Sequence, residues 1–174
     1  MLLLLLLPLQ CQAALMDDAR AGDTEALKVY LDKGVSVDER DEHEQTALMW
    51  AAQYGHLKAV ELLLVSSANI DLQNKYGQTP LMLASFAGHL STVYSLLENG
   101  AKINLQNTSG ETALMLAASQ KHLLIARLLL NRGTDVLLKD KEGSTAWDIA
   151  NDNYDVPMMK LLKSWEPTGN RQSN

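Results

Sequence analysis

Cysteine is nearly missing from this chain. Cys11 is the only one, so no disulfide forms within it, and cleavage beyond residue 13 would leave no thiol at all, a composition at home in an oxidising compartment and harmless in a reducing one. Basic residues are the minority, 15 against 21 acidic ones for a net charge of -6, the wrong sign for displacing counterions from a phosphate backbone, which argues against nucleic acid and anionic lipid as partners. After the first few residues no stretch approaches the roughly eighteen consecutive apolar residues of a membrane span. Also missing are a nucleophile elbow, a phosphate-cradling glycine loop and EF-hand spacing, so catalysis has no visible machinery. Rings are scarce, 5% of residues against 47% hydrophobic overall, and 174 residues leave no room for a second domain beside one continuous core.

Residues 1–14 stand apart. Leu2 to Leu7 is an unbroken leucine run, followed by Pro8, Leu9, Gln10, Cys11, Gln12, Ala13 and Ala14. An apolar run followed by a polar, small-residue stretch has the form of a secretory leader, and it is too short to cross a bilayer. No basic residue lies between Met1 and the leucines, which departs from that form. A buried helix is the alternative, but it would be apolar all round with nothing nearby to cover it. Lipidation of Cys11 is a weaker reading, because Pro8, Leu9 and Gln10 are not the small residues that signal needs.

What the chain has in quantity is a 33-residue repeat. That offset links Thr46, Thr79, Thr112 and Thr145; Leu48, Leu81 and Leu114; Ala51, Ala84, Ala117 and Ala150; His56, His89 and His122; and Leu63, Leu96, Leu129 and Leu162. Around these stand Thr46-Ala-Leu-Met-Trp-Ala-Ala52, Thr79-Pro-Leu-Met-Leu-Ala-Ser85 and Thr112-Ala-Leu-Met-Leu-Ala-Ala118. They resemble the T-P-L-H-x-A signature of ankyrin repeats, over essentially everything beyond the first fourteen residues, and the chain is similar in this to exported bacterial ankyrin-repeat proteins. The resemblance implies an all-α solenoid of helix-turn-helix units with β-hairpin finger loops. The expected layout is an N-terminal cap unit at 15–45, repeats at 46–78, 79–111 and 112–144, a C-terminal cap unit at 145–166, and a disordered polar tail at 167–174.

Each unit can also be read from its residues. Threonine caps the free N–H groups of a first helix, and Pro80 sits where its missing donor costs nothing. Gly55 and Gly88 end first helices; Leu57 to Val65, Leu90 to Glu98 and Leu123 to Asn131 are amphipathic second helices; Gly34, Gly100 and Gly133 end second helices. Asn74 to Gly77, Asn107 to Gly110 and Asp140 to Gly143 read as turn tips. Three residues break the pattern: Ser67, Lys121 and Glu44 stand where other units have glycine. Drift tolerated by cooperative stacking accounts for them, with a reshaped first finger, Asp38 to Gln45, as the sharper alternative.

The histidine row invites a metal reading. Residues recurring once per unit are on the order of 10 Å apart, whereas ligands must lie about 2 Å from one ion, so no metal or other cofactor is expected; His43 on the acidic first finger is expected to be a solvated loop residue. Met49, Met82 and Met115 fill the slot where the family usually has histidine; apolar packing is the expectation and oxidant scavenging the alternative.

The resemblance implies a non-enzymatic module that binds a partner protein through the finger tips and the ends of the first helices. In register those positions are Glu42, His43, Gln45, Gln53 and Tyr54; Lys75, Tyr76, Gln78 and Phe86; and Thr108, Ser109, Glu111, Ser119 and Gln120. Tyr54, Tyr76 and Phe86 are expected to cluster there as a hot spot. The expected molecule is a monomer in the periplasm or outside the cell, inhibiting, neutralising or supporting its partner; a cytosolic scaffold or regulatory subunit is the alternative.

Overall fold

The structure is a computed structural model that describes residues 14–165. Apart from Ala14, the proposed leader with its Cys11 lies outside the described residues, as does the 167–174 tail. Helix α1 is described over 14–21. It is followed by α2 (Thr24–Asp32), α3 (Ala47–Gln53), α4 (Leu57–Val65), α5 (Pro80–Ala87), α6 (Leu90–Glu98), α7 (Ala113–Ser119), α8 (Leu123–Asn131), α9 (Ala146–Asp152) and α10 (Val156–Lys163). First helices α3, α5, α7 and α9 pack one on the next, and second helices α2, α4, α6, α8 and α10 form a parallel layer.

The capping chemistry repeats with the sequence. Thr46, Thr79 and Thr112 each sit in extended backbone and accept, at 3.3 Å, the N–H of Met49, Met82 and Met115. Thr145 accepts from Asp148, whose carboxylate in turn takes the Thr145 N–H at 2.8 Å and hydroxyl at 2.7 Å. Those two bonds hold the Asp148 carboxyl below the usual carboxylate range. The second helices divide differently. In the two end units Asp23 and Asp155 cap α2 and α10, whereas His56, His89 and His122 make no side-chain cap at all. Their rings are used elsewhere, as described below.

Small residues on the first helices and leucines on the second make the core: Ala51, Ala84, Ala117, Ala150, Leu48, Leu81, Leu114, Leu63, Leu96, Leu129 and Leu162 are all buried, so no unit could cover its own apolar face without a neighbour. The three methionines are buried as well, which leaves oxidant scavenging no surface to act from.

The fingers differ from expectation in one respect: the described residues contain no β-strand. Each finger closes on a turn whose ends are joined once, as Asn74 N–H donates to Gln78 O at 3.1 Å and Asn107 N–H to Glu111 O at 3.0 Å. Between the backbones of neighbouring finger tips runs one bond, Thr108 N–H to Tyr76 O and Lys141 N–H to Ser109 O, both 2.9 Å. Such short arms close hairpin-like turns without room for a strand ladder.

The three departures from the glycine pattern take up left-handed backbone: Glu44 at φ 58°, Ser67 at φ 67° and Lys121 at φ 62°, joined by Tyr154 at φ 53°. Ser67 carries no compensation, since a Cβ built on its counterparts Gly34, Gly100 and Gly133 meets nothing within 4 Å. Relief of the left-handed strain, about 1–2 kcal/mol, exceeds the extra unfolded-state entropy of a glycine, about 0.4–1 kcal/mol. Ser67→Gly is expected to stabilise the fold by about 0.5–1 kcal/mol and to raise the midpoint of a thermal melt; a lower midpoint would show that Ser67 makes a contact worth more than its strain.

Candidate functional site

The joints between units are set by the histidines. His56, His89 and His122 each donate Nε2–H to the carbonyl of a residue 36 positions earlier, Arg20 at 2.8 Å, Gln53 at 3.0 Å and Phe86 at 3.1 Å. Every ring thus lies over the turn of the preceding unit, where a Cβ on Gly22, Gly55 or Gly88 would come within 2.4–2.6 Å of it. The histidine row is structural and runs along the stack. Among the described residues no group of three or more His, Cys, Asp or Glu could hold a metal ion.

The finger tips are built on one residue each. The Oδ1 of Asn74 takes the N–H groups of Tyr76 and Gln78 at 3.0 Å, and that of Asn107 takes those of Ser109 and Glu111 at 2.9 Å. Asp41 does the same for His43 at 2.8 Å and Gln45 at 2.9 Å. This Asx geometry explains a correction to the sequence reading. Gln45 is buried, only 6% exposed, and its amide oxygen accepts from Asn74 at 3.1 Å. The equivalent Gln78 and Glu111 are half-buried and also accept from the tip asparagines. Residues 45, 78 and 111 therefore brace the fingers from within, and Gln45 is not available to a partner.

The remaining expected site residues lie on the surface. Glu42, His43, Lys75, Tyr76, Thr108, Ser109, Tyr54, Phe86 and Gln120 are exposed, while Gln53 and Ser119 are half-buried. Tyr54, Tyr76 and Phe86 show 48%, 52% and 47% of their surface. They do not form the direct cluster expected from register. Among the described residues the ring contacts are Trp50 with Tyr54 at 6.2 Å and Tyr54 stacked on His56 at 6.3 Å, while Tyr76 carries the Lys75 ammonium 5.1 Å from its centre. The aromatic groups are separate stations on one face.

Sequence reasoning missed the centre of the first station. Trp50 occupies the slot of Leu83 and Leu116. Its Nε1–H donates to Asp41 Oδ2 at 2.9 Å, and the Arg20 guanidinium lies 3.9 Å over the ring, a cation–π contact. An indole in an otherwise aliphatic slot, with a carboxylate nine residues earlier, was the signal available. Around it residues 38–44 carry five carboxylates and one arginine. Arg40 is engaged with Glu44 at 3.3 Å and the Gln73 carbonyl at 3.1 Å. This end of the face is acidic.

A stack of helix pairs joined side by side, with an open face of finger tips and helix ends, is a solenoid binding module. The family described as Ankyrin repeats (3 copies) matches residues 15–107 and 88–172, so the chain belongs to the ankyrin-repeat family and is a protein–protein interaction module. No curated protein matches it.

Proposed function

We propose that this chain is a non-catalytic binding protein, exported from its cell, that holds one specific protein against its finger tips and first-helix ends and so inhibits, neutralises or supports it. The observation that carries the reading is the row of exposed rings, Tyr54, Tyr76 and Phe86, in slots where the third repeat has Gln120, Ser109 and Ser119. Of the three only Tyr54 has ring neighbours among the described residues, Trp50 and His56, and exposed aromatic side chains amid polar neighbours are the composition of interface hot spots. Export is supported by the leucine run and the small-residue stretch behind it, and by the lack of cysteine beyond residue 11.

One experiment tests both halves. The tagged protein is recovered from the extracytoplasmic fraction of its own cell, and the protein it captures is titrated against wild type, Tyr54→Ala, Tyr76→Ala, Phe86→Ala and the controls Lys28→Ala and Lys163→Ala. At least one ring truncation is expected to weaken binding by about 2 kcal/mol, roughly thirtyfold, with the controls unchanged. Recovery from the cytosol alone rejects export. Equal affinity of the ring variants and controls rejects the assigned face.

A further inference from the structure

The second-helix side of the stack carries a pattern that the first-helix face does not use. Helices α4, α6 and α8 lie side by side, and the 33-residue register puts Glu61, Tyr94 and Arg127 at one height across them. All three are exposed. Near the start of the same helices the row is Lys58, Ser91 and Leu124, with Leu124 62% exposed. Leu57, Leu90, Tyr94 and Leu128 give an open groove of about 600 Å³ an apolar floor, and Glu61 stands at its edge. Leu124 and Tyr94 thus expose apolar surface in slots that other units of this chain fill with Lys58, Ser91, Glu61 and Arg127. Glu61 and Arg127 have no ion-pair partner among the described residues, and two units, about 20 Å, keep them from meeting each other.

An acid, a ring and a base in line, with the ring in the middle, is complementary to its own reverse. A twofold axis running along α6 would bring α4 of one copy opposite α8 of another at equal height and leave α6 facing α6. Glu61 then meets the second copy's Arg127, Arg127 meets its Glu61, and the two Tyr94 rings lie together at the axis. The protruding Leu124 enters the groove beside Leu57 and Leu90, and Lys58 comes opposite this leucine rather than a cation. Arg132, paired with Glu98 at 2.7 Å and 5.2 Å from the Tyr94 ring, braces the centre. We propose, against the sequence expectation of a monomer, that the chain forms an isologous dimer through α4, α6 and α8. Such a contact uses one patch twice. It leaves the fingers and first-helix ends open, so it stands or falls apart from the function proposed above.

Sedimentation equilibrium of the full chain across the micromolar range is the test, with wild type, Glu61→Arg, Arg127→Glu and the double variant carrying both changes. Helix content by circular dichroism checks that all four are folded. Wild type is expected to dimerise reversibly. Each single reversal sets like charges opposite each other at both symmetry-related contacts and weakens the dimer about tenfold or more; the double variant re-forms both pairs with signs exchanged and recovers most of the loss. Wild type that stays monomeric, single variants that dimerise as well as wild type, or a double variant no better than the singles would each overturn the proposal.

Discussion

Gly88→Ala is expected to destabilise the fold by about 3 kcal/mol, and removal of the His122 ring in the same chain is expected to cancel much of that loss. Two costs combine. Gly88 sits at φ 87°, where a side chain brings about 1 kcal/mol of backbone strain. Its new Cβ would also lie 2.6 Å from His122 Cε1 and 2.8 Å from Nε2, so the ring would have to leave the Phe86 carbonyl it binds at 3.1 Å, adding about 2 kcal/mol for overpacking and the broken bond. His122→Ala alone gives up that bond. With the ring gone, the three atoms nearest the methyl at 88 are removed and chiefly the φ cost remains, so the double variant should be more stable than the sum of the single losses implies by about 1–2 kcal/mol. Urea unfolding of the four proteins measures this coupling. Additive losses would mean that the glycine is there for its backbone alone.

The chain contains the same exchange in natural form. At the next joint Lys121 replaces glycine at φ 62°, and the residue one period after His122 is Asp155, which caps α10 instead of reaching back. Where no ring arrives, no glycine is needed. The departure at Lys121 and the aspartate that stands one period after His122 are one event. A 33-residue offset shows which residues are equivalent, while the coupled pair is 34 apart and belongs to different units, so the link appears only when units are stacked.

The limits of the sequence reading have the same origin. Threonine caps, the buried alanine and leucine rows and the left-handed positions were legible because a single unit determines them, and period plus capping chemistry is enough to do so. Gln45 was misread as partner-facing because adjacency to the tip does not fix direction; it is buried, and its amide oxygen accepts from Asn74. Glu44 shows the converse. A Cβ at the equivalent Gly77 or Gly110 would press on the next finger's backbone at 2.7 or 2.9 Å, and between the first two fingers, where glutamate supplies that Cβ, the Lys75 N–H reaches His43 O at 3.3 Å rather than 2.9 Å. The first finger thus stands further from its neighbour than the others do, at the acidic end of the proposed binding face.

That finger depends on Asp41, and Asp41→Ala is expected to cost about 3 kcal/mol. One carboxylate serves three donors: His43 N–H at 2.8 Å and Gln45 N–H at 2.9 Å on Oδ1, and the Trp50 indole at 2.9 Å on Oδ2. Hydrogen bonds to a charged group are worth about 1.5–3 kcal/mol each when sheltered, and partial exposure of this tip brings the three together down to that total. Asp41→Asn separates the roles. Its Oδ1 can still hold the tip, as Asn74 and Asn107 do, but its Nδ2 would set a donor against the Trp50 N–H and strand that half-buried group, at a cost of about 1–2 kcal/mol. In a Trp50→Phe background the conflict disappears, and Asp41→Asn should then be close to neutral, while Asp41→Ala remains costly through the two backbone bonds. Thermal unfolding of the six chains reads the cycle. If asparagine costs as much with phenylalanine at 50 as with tryptophan, the indole bond contributes nothing to the finger, and the acidic tip that presents Glu42 and His43 is held by its backbone turn alone.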